Sequence, residues 1–147
     1  MAHLISQKFP NAEIVAVEID PVMVDIAKKY FDVDSIPNLR IITDDALRVV
    51  IEPDEFGLEE NYFDALIVDI FIGEKYPDLG KSGNFISALK RLVRPGGLTI
   101  FNRMYREHHQ DDVHIFIDYV SDFFSTVKNL VVAGYTNSDN VLIYCRD

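Results

Sequence analysis

Three acidic positions stand where a carboxylate could act on a ligand rather than only meet water: Glu18, the Asp44-Asp45 pair and Asp69. The first closes the run Ile14-Val15-Ala16-Val17 and is followed by Ile19-Asp20-Pro21. An apolar run ending in an acid delivers that carboxylate to the carboxyl edge of a sheet, where it can accept from the two hydroxyls of a ribose. Asp20 then has the side chain of a helix cap, and Pro21 suits the first helical turn, where no donor is needed. The segment points to a nucleoside ligand. The glycine loop that normally comes before such a segment is not in the sequence.

Each acid also has a plainer reading. Glu18 can be a solvated strand-end acid. Asp45 can simply cap a helix, and Asp44 beside it leaves open which of the two would face a ligand. Asp69 can be a capping or structural acid, although the end of a buried strand favours a site. His108, His109 and His114 superficially resemble a metal cluster. They fall on a polar loop leading into a helix, with no acid at ligand spacing to complete a set, so no metal is expected. Gly96-Gly97 follows a helix rather than opening one and reads as a turn, not a phosphate cradle.

The elements that must position these acids can be read from periodicity. Residues 2–9 form the end of an amphipathic helix closed by Pro10. A buried-type strand covers 13–19, and a helix over 21–31 puts Met23, Ile26, Ala27 and Tyr30 on one face. Leu39 to Thr43 is a second strand, running into Asp44-Asp45-Ala46 and a short helix to about residue 50. The acidic stretch 52–61 is a loop. Phe63 to Phe71 is a third strand, apolar enough to be covered on both faces. A helix over 84–94 is stopped by Arg94-Pro95-Gly96-Gly97. A fourth strand covers 98–104, a helix 111–124, and two closing strands 127–133 and 141–146, which pair antiparallel across the loop 134–140. Alternating strands and helices imply right-handed crossovers and a doubly wound α/β fold, with a mostly parallel sheet and one antiparallel strand.

Length and composition bound the answer further. At 147 residues one domain, 1–147, is expected, and 48% hydrophobic residues can supply its core. A net charge of −10 with no basic stripe argues against nucleic acid as a partner. It is compatible with a small cationic substrate such as a polyamine. The single cysteine, Cys145, builds no disulfide framework, which favours a reducing, cytoplasmic compartment. No apolar run approaches a membrane span, and the N-terminus does not read as a signal peptide, so no membrane partner is expected.

Taken in order, Val17-Glu18-Ile19-Asp20-Pro21, Asp44-Asp45-Ala46, Tyr62 to Asp69, Leu92 to Gly97 and Asn137 to Leu142 resemble a class I S-adenosylmethionine-dependent methyltransferase. Within that superfamily they are most similar to the spermidine synthase-like branch. The resemblance implies a transferase that moves a methyl or aminopropyl group from S-adenosylmethionine or decarboxylated S-adenosylmethionine to a small-molecule acceptor. It implies that Glu18 holds the ribose hydroxyls, with Asp20 beside it in the cofactor-binding set. Asp45 would accept from the adenine amino group while the Ala46 amide reads a ring nitrogen. Asp69 would face the sulfonium and orient or deprotonate the acceptor. It also makes Tyr76 and Tyr105 candidate lid residues.

Two departures qualify this. The family has a first strand and a glycine-rich loop just before a segment like Ala2 to Phe9, and here the chain begins after them. Secondly, spermidine synthases carry serines and a second aspartate after the position of Asp69, where this chain has Ile70-Phe71-Ile72. Without the family's central first strand, the flanking strands are expected either to pair directly or, the favoured version, to be covered by a second copy in a homodimer. Two other readings stand beside the enzyme: a truncated, non-catalytic nucleoside-binding or assembly domain, and a nicotinamide dinucleotide-binding domain.

Overall fold

The computed structural model describes residues 1–73, 76–105, 110–134 and 139–147. They fall into two units, Met1–Phe56 and Gly57–Asp147.

The first unit runs α1 (Ala2–Lys8), β1 (Ile14–Glu18), α2 (Pro21–Phe31), β2 (Leu39–Thr43) and α3 (Ala46–Ile51), with short 3-10 turns at Val33–Ser35 and Pro53–Phe56. β1 and β2 are parallel, in register from Ile14↔Leu39 to Glu18↔Thr43. α2 starts as its sequence requires: the Asp20 carboxylate accepts from the Val22 amide at 2.8 Å and Pro21 occupies the first turn. It ends at Asp32, whose left-handed backbone (φ 49°) closes the helix. Val24, Ile36, Val49 and Val50 are buried in this unit.

The second unit contains β3 (Phe63–Val68), a 3-10 turn at Asp78–Lys81, α4 (Gly83–Leu92), β4 (Val93–Met104), α5 (Gln110–Val120), β5 (Thr126–Val132) and β6 (Asn140–Arg146). Its sheet has the order β3-β4-β6-β5. β3 and β4 are parallel, and β6 lies antiparallel to both β4 and β5. The antiparallel closing pair is therefore present, with the last strand inserted beside β4. α4 buries Phe85, Ile86, Ala88, Leu89 and Leu92, and α5 buries Val113, Phe116 and Val120. At about 1.5–3 kcal/mol for each large apolar side chain removed from water, this unit carries most of the described hydrophobic stabilisation.

The structure corrects three expectations. β3 ends at Val68 and is an edge strand with Ala65 and Ile67 exposed, not a strand covered on both faces. α5 ends at Val120 rather than residue 124, where Ser121 turns its hydroxyl back onto the Ile117 carbonyl at 2.8 Å and competes with the helix ladder.

The third correction matters most. Arg94-Pro95-Gly96-Gly97 is not a break between helix and strand but a bulge inside β4. Phe63 lies opposite Val93, whereas Ala65 lies opposite Leu98. Gly96 adopts φ +76°. A Cβ on Gly97 would come within 2.5 Å of Val93 Cγ1, 2.9 Å of the Arg94 carbonyl and 3.0 Å of the Asp64 carbonyl, so only glycine fits. Among the described residues no helix is long and apolar enough to cross a membrane.

Candidate functional site

Two strand edges carry the acids singled out in the sequence, one in each unit. In the first unit the parallel register ends β1 at Glu18 beside Thr43, and Asp44, Asp45 and Ala46 follow directly. Glu18 Oε1 accepts from the Asp20 amide at 2.9 Å, which fixes the carboxylate at the strand end. Its carbonyl accepts from the Asp44 amide at 3.1 Å, tying the two strand ends together.

The geometry separates Asp44 from Asp45. Asp44 Oδ1 accepts from the Asp45 amide at 2.8 Å and Oδ2 from Arg48 Nη1 at 2.7 Å, so both oxygens are engaged. Arg48 also reaches Glu55 at 2.6 Å and Glu52 at 3.4 Å. The Glu55 hydrogen bond and the Asp44 charge raise its guanidinium further above the ordinary value. Asp45, by contrast, spends one oxygen capping α3, accepting from the Leu47 amide at 2.9 Å. Among the described residues nothing donates to Glu18 Oε2 or Asp45 Oδ2, and the amide of Ala46, in the first turn of α3, has no acceptor. An acceptor beside a free amide is the complement of an adenine edge, and a second carboxylate suits a ribose diol. These residues fit the nucleoside half of the expected cofactor.

In the second unit Asp69 follows β3 and is exposed. The register Val68↔Phe101 sets it beside Asn102 of β4, whose Nδ2 donates to Asp69 Oδ1 at 2.7 Å. Asn102 Oδ1 is buried and accepts nothing among the described residues. On the opposite face of β4 lies Arg103, 2% exposed. Its guanidinium sits 4.0 Å from the centre of the Tyr76 ring and 4.5 Å from that of Phe116. Its Nη2 donates to Asp112, which also accepts from Lys81 Nζ at 2.8 Å. Burial pulls the Arg103 guanidinium down from its ordinary value, and Asp112 and Tyr76 oppose this. Burial also tends to raise the Asp112 carboxyl, but the Lys81 hydrogen bond and the Arg103 charge outweigh it and hold the group below its ordinary value. The Tyr76 hydroxyl is pushed well up by burial, with Arg103 opposing.

Asn102 and Arg103 were not singled out by sequence reasoning. An isolated Asn-Arg pair in an apolar strand was the available signal, but its partners lie far along the chain. Tyr76 is packed against Arg103 and Phe116. Tyr105 makes an edge contact with His114 at 6.2 Å. His108 and His109 lie outside the described residues, as does Asn137. Among the described residues no group of histidine, cysteine and acids could hold a metal.

A cleft of about 710 Å³ also opens in the second unit, lined by Lys90, Arg91, Arg94, Thr99, Cys145 and Arg146 among others. None of the candidate acids borders it. Several of its cations are already paired: Lys90 with Asp147 at 2.9 Å, Arg91 with Glu60 at 3.3 Å and Arg94 with Asp64 at 2.5 Å.

Comparison with known proteins bears on the family and the fold. The family model of the spermine/spermidine synthase domain matches residues 6–145. The polyamine aminopropyltransferase of Vibrio vulnificus (strain CMCP6) is 33% identical over 98 residues, 67% of this chain and 32% of that protein. The eEF1A lysine and N-terminal methyltransferase homolog of Drosophila pseudoobscura pseudoobscura is 29% identical over 104 residues, 67% of this chain and 15% of that protein. The chain thus spans about a third or less of the length of these curated relatives. The crystal structure of human methyltransferase-like protein 13 in complex with SAH matches with a TM-score of 0.78 at 21% identity, covering 98% of this chain and 65% of that one. That likeness shows the expected Rossmann-like methyltransferase fold.

Proposed function

Because the chain belongs to the spermine/spermidine synthase domain family, we propose that it forms the nucleoside-holding and acceptor-facing part of a transferase. The transferred group is a methyl or aminopropyl carried by a sulfonium donor, S-adenosylmethionine or its decarboxylated form. In this reading the two units are parts of one S-adenosylmethionine-binding-type domain spanning 1–147. The single observation that carries it is the edge of β1 and β2, where Glu18 Oε2, Asp45 Oδ2 and the Ala46 amide are all left without described partners.

Glu18 would hold the ribose diol, Asp45 and Ala46 the adenine edge, and the Asp20 cap would fix the turn from β1 into α2 that carries Glu18. The bound sulfonium supplies an electrophilic carbon. Asp69 presents Oδ2 to the acceptor, orients its nucleophilic atom and takes the proton released as the new bond to carbon forms and the carbon–sulfur bond breaks. The acceptor is a small molecule, and an amine suits a lone carboxylate. The aminopropyltransferase relative supports a polyamine, while the run Ile70-Phe71-Ile72 in place of a second acid favours a less charged amine. A protein amine is the alternative that the eEF1A methyltransferase homolog supports.

Calorimetry with S-adenosylmethionine and its decarboxylated form tests the reading. Wild type should bind one of them, and Glu18→Gln should weaken it about tenfold or more, as loss of a charged acceptor does. No heat with either ligand at millimolar concentration would remove the enzyme reading.

A second reading is a non-catalytic nucleoside-binding or assembly domain of the same fold. It is favoured by the engagement of one oxygen each of Asp20 and Asp45 in helix caps. The two readings separate on turnover, since only the first requires it. The one buried cysteine suits a reducing, cytoplasmic setting. A homodimer covering an exposed strand edge completes the proposal. A compact monomer at every concentration in light scattering would dismiss the dimer.

A further inference from the structure

The strongest feature outside the expected site residues is the amide of Asn102. From the geometry we infer that Asn102 is a positioning residue for the transfer, acting through Asp69. This rests on the reading of Asp69 as the acceptor-facing acid.

Asn102 Nδ2 donates to Asp69 Oδ1 at 2.7 Å. A carboxylate can only accept, so this bond fixes which end of the amide faces it. The consequence is visible at the other end: Asn102 Oδ1 is buried with no hydrogen-bond partner among the described residues. Turning the amide over would set its oxygen against the carboxylate. The amide therefore leaves a buried acceptor unsatisfied to keep its donor on Asp69, and such an orphan in a native structure calls for a reason. Position supplies one. Asp69 is the first residue beyond β3, and it is exposed. Asn102 anchors one oxygen from inside β4. Nothing among the described residues donates to Oδ2, which is left free for an acceptor. Register makes the contact. Carried on from Phe63↔Val93, the pairing would set Thr99 opposite Asp69; the bulge at residues 94–97 brings Asn102 there instead.

The test is transfer from S-adenosylmethionine and from its decarboxylated form to n-butylamine and to putrescine, in wild type, Asn102→Asp, Asn102→Gln and Asp69→Asn. Asn102→Asp keeps the size of the side chain and loses the donor. It should lower kcat about 100-fold, the scale of a misplaced catalytic group, with the KM for the donor within about twofold. Asn102→Gln keeps the amide and should recover most of the loss, which a role in packing alone would not allow. Should Asn102→Asp fail to fold, Asn102→Ala, which also lacks the donor, takes its place. Independently of turnover, one Asn102 side-chain amide proton should exchange slowly in wild type and quickly in Asp69→Ala.

If kcat in Asn102→Asp stays within about twofold of wild type while Asp69→Asn abolishes transfer, positioning by Asn102 is wrong and the role of Asp69 stands. If Asp69→Asn retains full turnover, or wild type transfers to neither amine, the reading of Asp69 itself falls and the inference falls with it.

Discussion

The carboxyl ends of β1 and β2 and those of β3 and β4 hold their acids in different ways. At the first edge the side-chain contacts of the acids are all local: Glu18 to the Asp20 amide, Asp20 to Val22, Asp45 to Leu47 and Asp44 to Arg48. At the second edge the contacts bridge distant segments. Asp69 is held by Asn102, 33 residues on, and Lys81 by Asp112, 31 residues on. Local contacts form whenever their own turn forms, so they fail one at a time. Contacts across strands depend on register, so a single disturbance removes several together.

The sharpest way to break this contrast is Gly97→Ala. The new methyl would meet backbone oxygens that cannot swing aside, so the bulge must shift. It should cost about 3 kcal/mol or more in urea denaturation and uncouple Asn102 from Asp69 at the same time. A variant as stable and as active as wild type would show that register does not govern this edge.

Arg103→Ala comes next. It removes a guanidinium stacked between Tyr76 and Phe116 and leaves Asp112 with Lys81 alone. A loss of about 2–4 kcal/mol is expected, from vanished packing more than vanished charge. A loss below about 0.5 kcal/mol, the range of ordinary surface changes, would refute the coupling of these elements.

Alkaline pH provides a third probe of the same unit. Burial pushes the Cys145 thiol from 9.0 up to about 12. The unfolded chain therefore releases this proton first as pH rises. The stability due to the neutral buried thiol is complete below pH 9 and is lost between 9 and 12, at about 1.4 kcal/mol per pH unit. Cys145→Ala should flatten that part of the stability–pH curve. An unchanged slope would mean that other groups dominate the alkaline loss.

The smallest effects belong to the first edge. Asp45→Ala should cost about 1 kcal/mol through the lost cap. Asp45→Asn should cost almost nothing, since asparagine caps equally well, yet it should weaken S-adenosylmethionine binding in calorimetry. Its one oxygen stays on Leu47, and an amide donor then faces the adenine amino group. Equal binding by Asp45→Asn and wild type would assign Asp45 to the cap alone.

How legible each edge was follows from the same contrast. Asp20-Pro21 and Asp45-Ala46 state their helix starts within three residues, and the structure places both caps there. The choice between Asp44 and Asp45 was open in the sequence; Arg48, four residues on, engages the first of them. Arg94-Pro95-Gly96-Gly97 carries a turn signal in the sequence, but its place inside β4 is visible only in the strand pairing. Nothing local distinguishes a stop from a bulge, because both need the same positive φ at glycine.

The amino-acid sequence alone determined the order of strands and helices, the caps that start α2 and α3, and the family to which the chain belongs. Those depend on periodicity and on side chains acting on their own backbone. Tertiary structure decided which residue stands beside Asp69. Three residues of offset, absorbed by the bulge in β4, exchange a threonine for an asparagine at that place, and offset between strands is set by packing and pairing at long range, beyond the reach of any short motif.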